Sequence, residues 1–120
     1  MTLHAYQAAL SRAETPRDTE YRLIREITGE MMEAERNGLK GALLIEPLHR
    51  NREMWTAFAT DCGVKGNGLP PQLRAQIVSI ALWVERHTSA VMAGREKIAD
   101  LISVNRTIME GLRGEHLAAA

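Results

Sequence analysis

Thiol is almost absent from this chain: Cys62 is the single cysteine in 120 residues. One cysteine excludes an internal disulfide and a Cys-rich zinc site, and it fits a reducing compartment. Aromatic residues are scarce too, at 4%, although hydrophobic residues make up 45%. A core of Leu, Ile, Val, Met and Ala suits helices better than sheets. Net charge is missing as well, because fifteen Lys plus Arg balance fifteen Asp plus Glu. Nucleic-acid binders draw much of their affinity from neutralising phosphates, so direct nucleic-acid binding is not expected. Long apolar runs are also lacking. The most apolar window, residues 77–84, has eight residues, against about 20 for a membrane-spanning helix, and no membrane insertion is expected. "MTLHAYQAAL" carries neither a basic leader nor an apolar h-region, so the cytoplasm is the expected location.

What is present is helical periodicity. The pattern predicts a single all-α domain over 1–120, a small bundle of three shorter helices and one long C-terminal helix. Leu3, Tyr6, Leu10 and Ala13 recur at steps of three and four, which predicts a first helix near 3–13. In "TPRDTEY" Thr15 can cap, Pro16 suits a first helical position and Asp18 stands in the first turn, opening a second helix near 16–36. Its apolar face is Tyr21, Ile24, Ile27, Met31 and Ala34, and "NG" at 37–38 ends it. A third helix near 42–61 carries Leu44, Leu48, Asn51, Trp55, Phe58 and Cys62, with Pro47 imposing either a kink or a start delayed to about residue 46. "CGVKGNGLPP" is turn chemistry, a loop over 62–70, and a frayed tail is expected over 113–120.

From 71 to 112 nothing ends a helix outright. Alternating steps of four and three from Leu73 give Leu73, Ile77, Ile80, Val84, His87, Val91, Gly94, Ile98, Leu101, Asn105, Ile108 and Leu112, a coiled-coil-like seam. His87 therefore reads as a buried or half-buried residue bonded to a neighbouring helix, with Asn51 as a candidate partner. Asn105 is either a register-fixing buried amide or a solvated or helix-ending residue. Gly94 marks a close helix approach or a bend. A straight helix of this length would measure about 60 Å, far beyond a compact domain whose radius of gyration is about 14 Å, so it bends near Gly94 or projects.

Catalysis finds no support in the motifs. Ser89 and Thr88 sit beside His87, but residues one or two apart on a helix point in different directions. G-x-S-x-G, H-E-x-x-H and a Walker-type loop are missing. His4, His49, His116 and Cys62 stand singly, without metal-ligand spacing. The chain is thus expected to be no enzyme and to need no metal or cofactor.

The second half of the long helix carries a wide apolar face. Its residues Ile98, Leu101, Ile102, Asn105, Ile108, Met109 and Leu112 are the candidate partner-binding set, a groove for an amphipathic helix. The competing reading is that the upstream helices bury that face in an ordinary bundle.

The blocks "ETPRDTEYRL", "NREMW", "NGLPPQLRAQIVSIALWVERHTSAVM" and "LISVNRTIMEGL", in that order, resemble the FlaF family of flagellar biosynthesis regulators, from about Ala5 to Leu112. The most specific are "LPPQLRAQI", "LWVERHTSAVM" and "NRTIMEGL". The resemblance implies a small all-helical cytoplasmic protein needed for flagellin production and filament assembly, in systems where a second regulator, FlbT, restrains flagellin synthesis. It implies flagellin as the partner, in a chaperone-like role. Separately, the chain is expected to be a monomer or weak homodimer. The alternative it leaves is a post-transcriptional adaptor acting through FlbT or the flagellin mRNA.

Overall fold

The structure, a computed structural model, describes Leu3, residues 16–64, Gly66 and residues 68–119, with side chains described at Leu3 and within 18–64, 66 and 68–111. Among these residues the chain is helical without strands. It forms α1 (Pro16–Arg36), a 3-10 turn (Gly41–Leu44), α2 (Ile45–Cys62), α3 (Pro71–Met92) and α4 (Ile98–Ala119). The helix expected near 3–13 falls outside the described residues, apart from Leu3, which is exposed.

Each of the first three helices starts for a local reason, and α1 also stops for one. α1 has Asp18 in its first turn, where the partial positive charge of the helix end favours a carboxylate. It closes at Gly38, whose φ is +64°. There the Gly38 amide donates to Glu35 O at 3.1 Å and the Leu39 amide to Ala34 O at 3.0 Å, the paired bonds of a Schellman cap. α2 begins at Ile45, so Pro47 lies in the first turn. Amides there have no intrahelical acceptor, and the ring is accommodated. α3 opens on Pro71 at its first position, after Leu69 has anchored the preceding loop in the core.

The expected single C-terminal helix is two helices. α3 ends at Met92, and the chain turns through Gly94, with φ +76°. The Gly94 amide donates to Val91 O at 3.0 Å and the Arg95 amide to Ala90 O at 2.9 Å, a second Schellman cap. The glycine is therefore the residue after the helix, where φ > 0 is required, and not an interior position. Two 22-residue helices, each about 33 Å long, replace the 60 Å rod. α4 stays helical to Ala119, beyond the end expected at 112, since the last residues include helix-favouring Arg, Glu, Leu and Ala.

The helices pack as two layers. α1 lies chiefly against α4, α2 against α3, and α1 joins α2, while α3 and α4 touch more sparingly. The turn at Gly94 thus carries the chain from one layer to the other. Ile24, Ile27, Met31 and Ala34 of α1 are all buried, as are Leu48, Trp55 and Phe58 of α2, Ile77, Val84 and Val91 of α3, and Leu101 and Ile108 of α4. They form one continuous cluster. An Arg50–Glu30 ion pair links α2 to α1 at the surface.

The two kinds of glycine make opposite predictions. A Cβ at Gly94 meets nothing within 4 Å, but its φ is strained for any L side chain; Gly94→Ala should lower stability by about 1–2 kcal/mol in urea unfolding. Gly29 lies inside α1 with open space around its Cα, and Gly29→Ala should raise stability by about 0.5–1 kcal/mol.

Candidate functional site

The seven residues read as a partner-binding face are divided by the fold. Leu101, Ile102, Asn105 and Ile108 are buried in the chain's own core, at 0, 6, 0 and 2% exposure, and Ile98 and Met109 are half-buried against it. Leu112 lies in α4, but its side chain is outside the described residues. The cover comes from α1, whose length of about 31 Å nearly matches α4 once the rod is broken at Gly94. In this conformation Leu101, Asn105 and Ile108 are closed to a partner unless α1 moves away, while Ile102, though buried, lines a surface cleft of about 370 Å³ with Glu35 and Arg106.

Asn105 is a buried amide at the centre of a polar network. Its Oδ1 accepts from Trp55 Nε1 at 2.8 Å, and its Nδ2 donates to Asn51 Oδ1 at 2.8 Å and to Thr28 Oγ1 at 3.0 Å. Three helices, α1, α2 and α4, meet at this one side chain. Asn51 is therefore the partner of Asn105 and not of His87. Two further groups in the core have no partner among the described residues, Asn51 Nδ2 and Thr88 Oγ1.

His87 is half-buried, with its side chain 12% exposed, and Thr88 beside it takes the fully buried position. The buried face of α3 runs Ile77, Val84, Thr88 and Val91; at about 100° per residue Thr88 stands nearly in line with Ile77, and His87 falls at the edge of that face. The imidazole stacks on Trp83, with centroids 4.4 Å apart at 19°. Its Nε2 lies 3.0 Å from Asp100 Oδ2 on α4. Bonding to a neighbouring helix is thus as read from the sequence, with a different partner. Glu96, in the turn, brings a carboxylate oxygen to within 4.8 Å of a ring nitrogen of His87 and a carboxylate oxygen of Asp100. Spacings of nine and four residues across a helix break conceal that cluster in the sequence.

The open surface lies elsewhere. At the end of the bundle, a cleft of about 620 Å³ forms where the α1–α2 connection faces the α3–α4 turn, lined by Leu39, Met92, Ile98 and Ala99 with Glu35, Lys40, Glu96 and Lys97 at its charged positions. A second cleft of about 520 Å³ adjoins it, since Leu39 lines both; there Ala34, Leu43 and Pro47 stand among Glu26, Glu30, Glu33 and Glu46. Leu43 and Ile45 are large aliphatics left 66% and 53% exposed. Among the described residues of the predicted face only Ile98 lines these clefts; Leu39 and Leu43 were missed because aliphatics in a connection carry no periodic signal.

The sequence model of a family described as flagellar protein FlaF matches residues 2–112. Comparison with curated proteins and with solved structures finds no match. No helix among the described residues is long and apolar enough to cross a membrane.

The polar core makes a paired prediction. Asn105→Leu strands the Trp55 indole N–H, Asn51 and Thr28, each an unmet buried group worth about 1–3 kcal/mol, so chemical denaturation should show a loss of at least about 3 kcal/mol. Thr88→Val removes an unpaired hydroxyl at nearly constant shape and should leave stability unchanged or raised by about 1 kcal/mol.

Proposed function

The chain belongs to the FlaF family of flagellar proteins, and from that premise we propose that it is a non-enzymatic, cytoplasmic regulator of flagellar biosynthesis that binds flagellin in a chaperone-like way. It masks flagellin's amphipathic helices, which would otherwise associate before export, and so promotes flagellin production, secretion and filament assembly. The observation that carries this reading is the family match over nearly the whole chain. The geometry supports a location for it. An amphipathic helix needs an apolar trough with polar edges, and the two clefts sharing Leu39 offer Leu43, Met92, Ile98 and Ala99 together with glutamates and, in the end cleft, Lys40 and Lys97. Met92, pliable and polarizable, suits a surface that accepts a helix.

Calorimetric titration with purified flagellin tests the reading. Ala99 and Leu43 are exposed, so Ala99→Arg and Leu43→Glu should leave the fold intact and weaken binding by about tenfold or more, equivalent to about 1.4 kcal/mol. Leu82, 63% exposed on α3 and outside both clefts, supplies the control: Leu82→Arg should bind normally. Absence of binding by the unmodified chain would remove flagellin as partner, and loss of binding in Leu82→Arg alone would move the site to α3.

A further inference from the structure

We propose that His87, Glu96 and Asp100 form a binding site for a zinc-class divalent metal ion, clamping α3 to α4 across the turn at Gly94. Neither the flagellar reading nor the clefts require it, and it stands on its own geometry. The three side chains offer one imidazole nitrogen and two carboxylate oxygens, all mutually within 4.8 Å. Nitrogen and carboxylate donors are what Zn²⁺ takes, and three protein ligands leave a fourth position for water.

The imidazole is already placed. Stacking on Trp83 at 4.4 Å fixes its plane, and its low exposure restricts its rotation. Its Nε2 then lies 3.0 Å from Asp100 Oδ2, close to the ligand–ligand separation of about 3.4 Å that a tetrahedral ion with bonds of about 2.1 Å imposes. Glu96 is held through its backbone by the helix cap, its amide 3.3 Å from Ala90 O. Its carboxylate, on an exposed side chain, needs only a side-chain rotation to close the set. Asp100 stands in the first turn of α4, which sets its carboxylate beside the crossing from α3.

The cluster also carries an electrostatic motive. Two carboxylates converge on one imidazole, and a divalent cation cancels the like-charge repulsion that a hydrogen bond to histidine relieves only in part. Because the ligands come from α3, the turn and α4, occupancy would hold the interlayer crossing in one geometry. Glu96 also lines the end cleft, so the ion would stiffen one of its walls.

Calorimetric titration of the full chain with Zn²⁺ alone should show one saturable site, and Co²⁺ in its place should give the visible absorption of a low-coordinate nitrogen–oxygen site. Glu96→Gln and Asp100→Asn, both at exposed positions, should each weaken Zn²⁺ by more than about tenfold with unchanged circular dichroism. Zn²⁺ should raise the thermal midpoint of the parent chain and not that of Glu96→Gln. His87→Gln also removes the Trp83 stack, so the two carboxylate variants carry the decision. Undiminished affinity in both would place the ion at other donors, such as His4, His116 or Cys62, and overturn the proposal. So would the absence of saturable binding by the parent chain at roughly 100 µM Zn²⁺.

Discussion

One buried carboxamide sets the register of this bundle. Asn105 uses its oxygen and both amide hydrogens on Trp55, Asn51 and Thr28, so its bonds are met only when α1, α2 and α4 stand at one axial position. The aliphatic core around it is less exacting, since Leu, Ile, Val and Met tolerate repacking at modest cost. Shifting α4 by one residue would swing Asn105 about 100° around the helix axis, leaving polar groups unpaired in a dry core. The hydrophobic effect drives collapse, and this amide is fully bonded only in an arrangement that brings Trp55, Asn51 and Thr28 around it.

That arrangement depends on the reversal at Gly94. Asn105 can reach Trp55 and Thr28 only because α4 leaves the direction of α3 and crosses to lie against α1. The φ of +76° at Gly94 and the two bonds to Ala90 and Val91 make that crossing local and cheap. The His87–Asp100 contact then ties the far side of the same turn. A glycine cap, a buried amide and a histidine–carboxylate pair thus describe one feature from three sides: the passage of the chain between layers.

Periodicity made much of this legible. Most of the buried faces of α1 and α2 were readable, down to Asn51 and Cys62 in the core, because amphipathic helices in a bundle obey a single period; buried Thr28 and Met54 were not, and Tyr21 is only half-buried. The "NG" that ends α1 was readable too. At Gly94 the same chemistry was ambiguous, since an interior glycine and a glycine just past a helix end look alike when apolar residues continue in phase on both sides. The distinguishing signal was weak: the run Arg95, Glu96 and Lys97, polar through a full turn, followed by Asp100 in a new first turn. Taking the rod as continuous made the apolar face of α4 look too long to cover, and the candidate groove followed from that length. The exposed aliphatics Leu43 and Ile45, and the convergence of Glu96 with His87, arise from the tertiary arrangement and leave no trace in spacing.

Closure of that face constrains how such a protein can recognise a helix. A partner replacing α1 on α4 would have to uncover Leu101, Ile102 and Ile108, each worth about 1.5–3 kcal/mol of burial, and break the bonds of Asn105. The sum approaches the whole stability of a small domain, about 5–15 kcal/mol, and the incoming helix would have to restore nearly all of it, including a match to the amide. A helix laid into the clefts at the bundle end displaces only water and gains from aliphatics already exposed. If the chain binds a helix reversibly, as proposed, the second route is favoured, because binding there leaves the core's free energy untouched and lets affinity be set by a few contacts around Leu39 and Ile98.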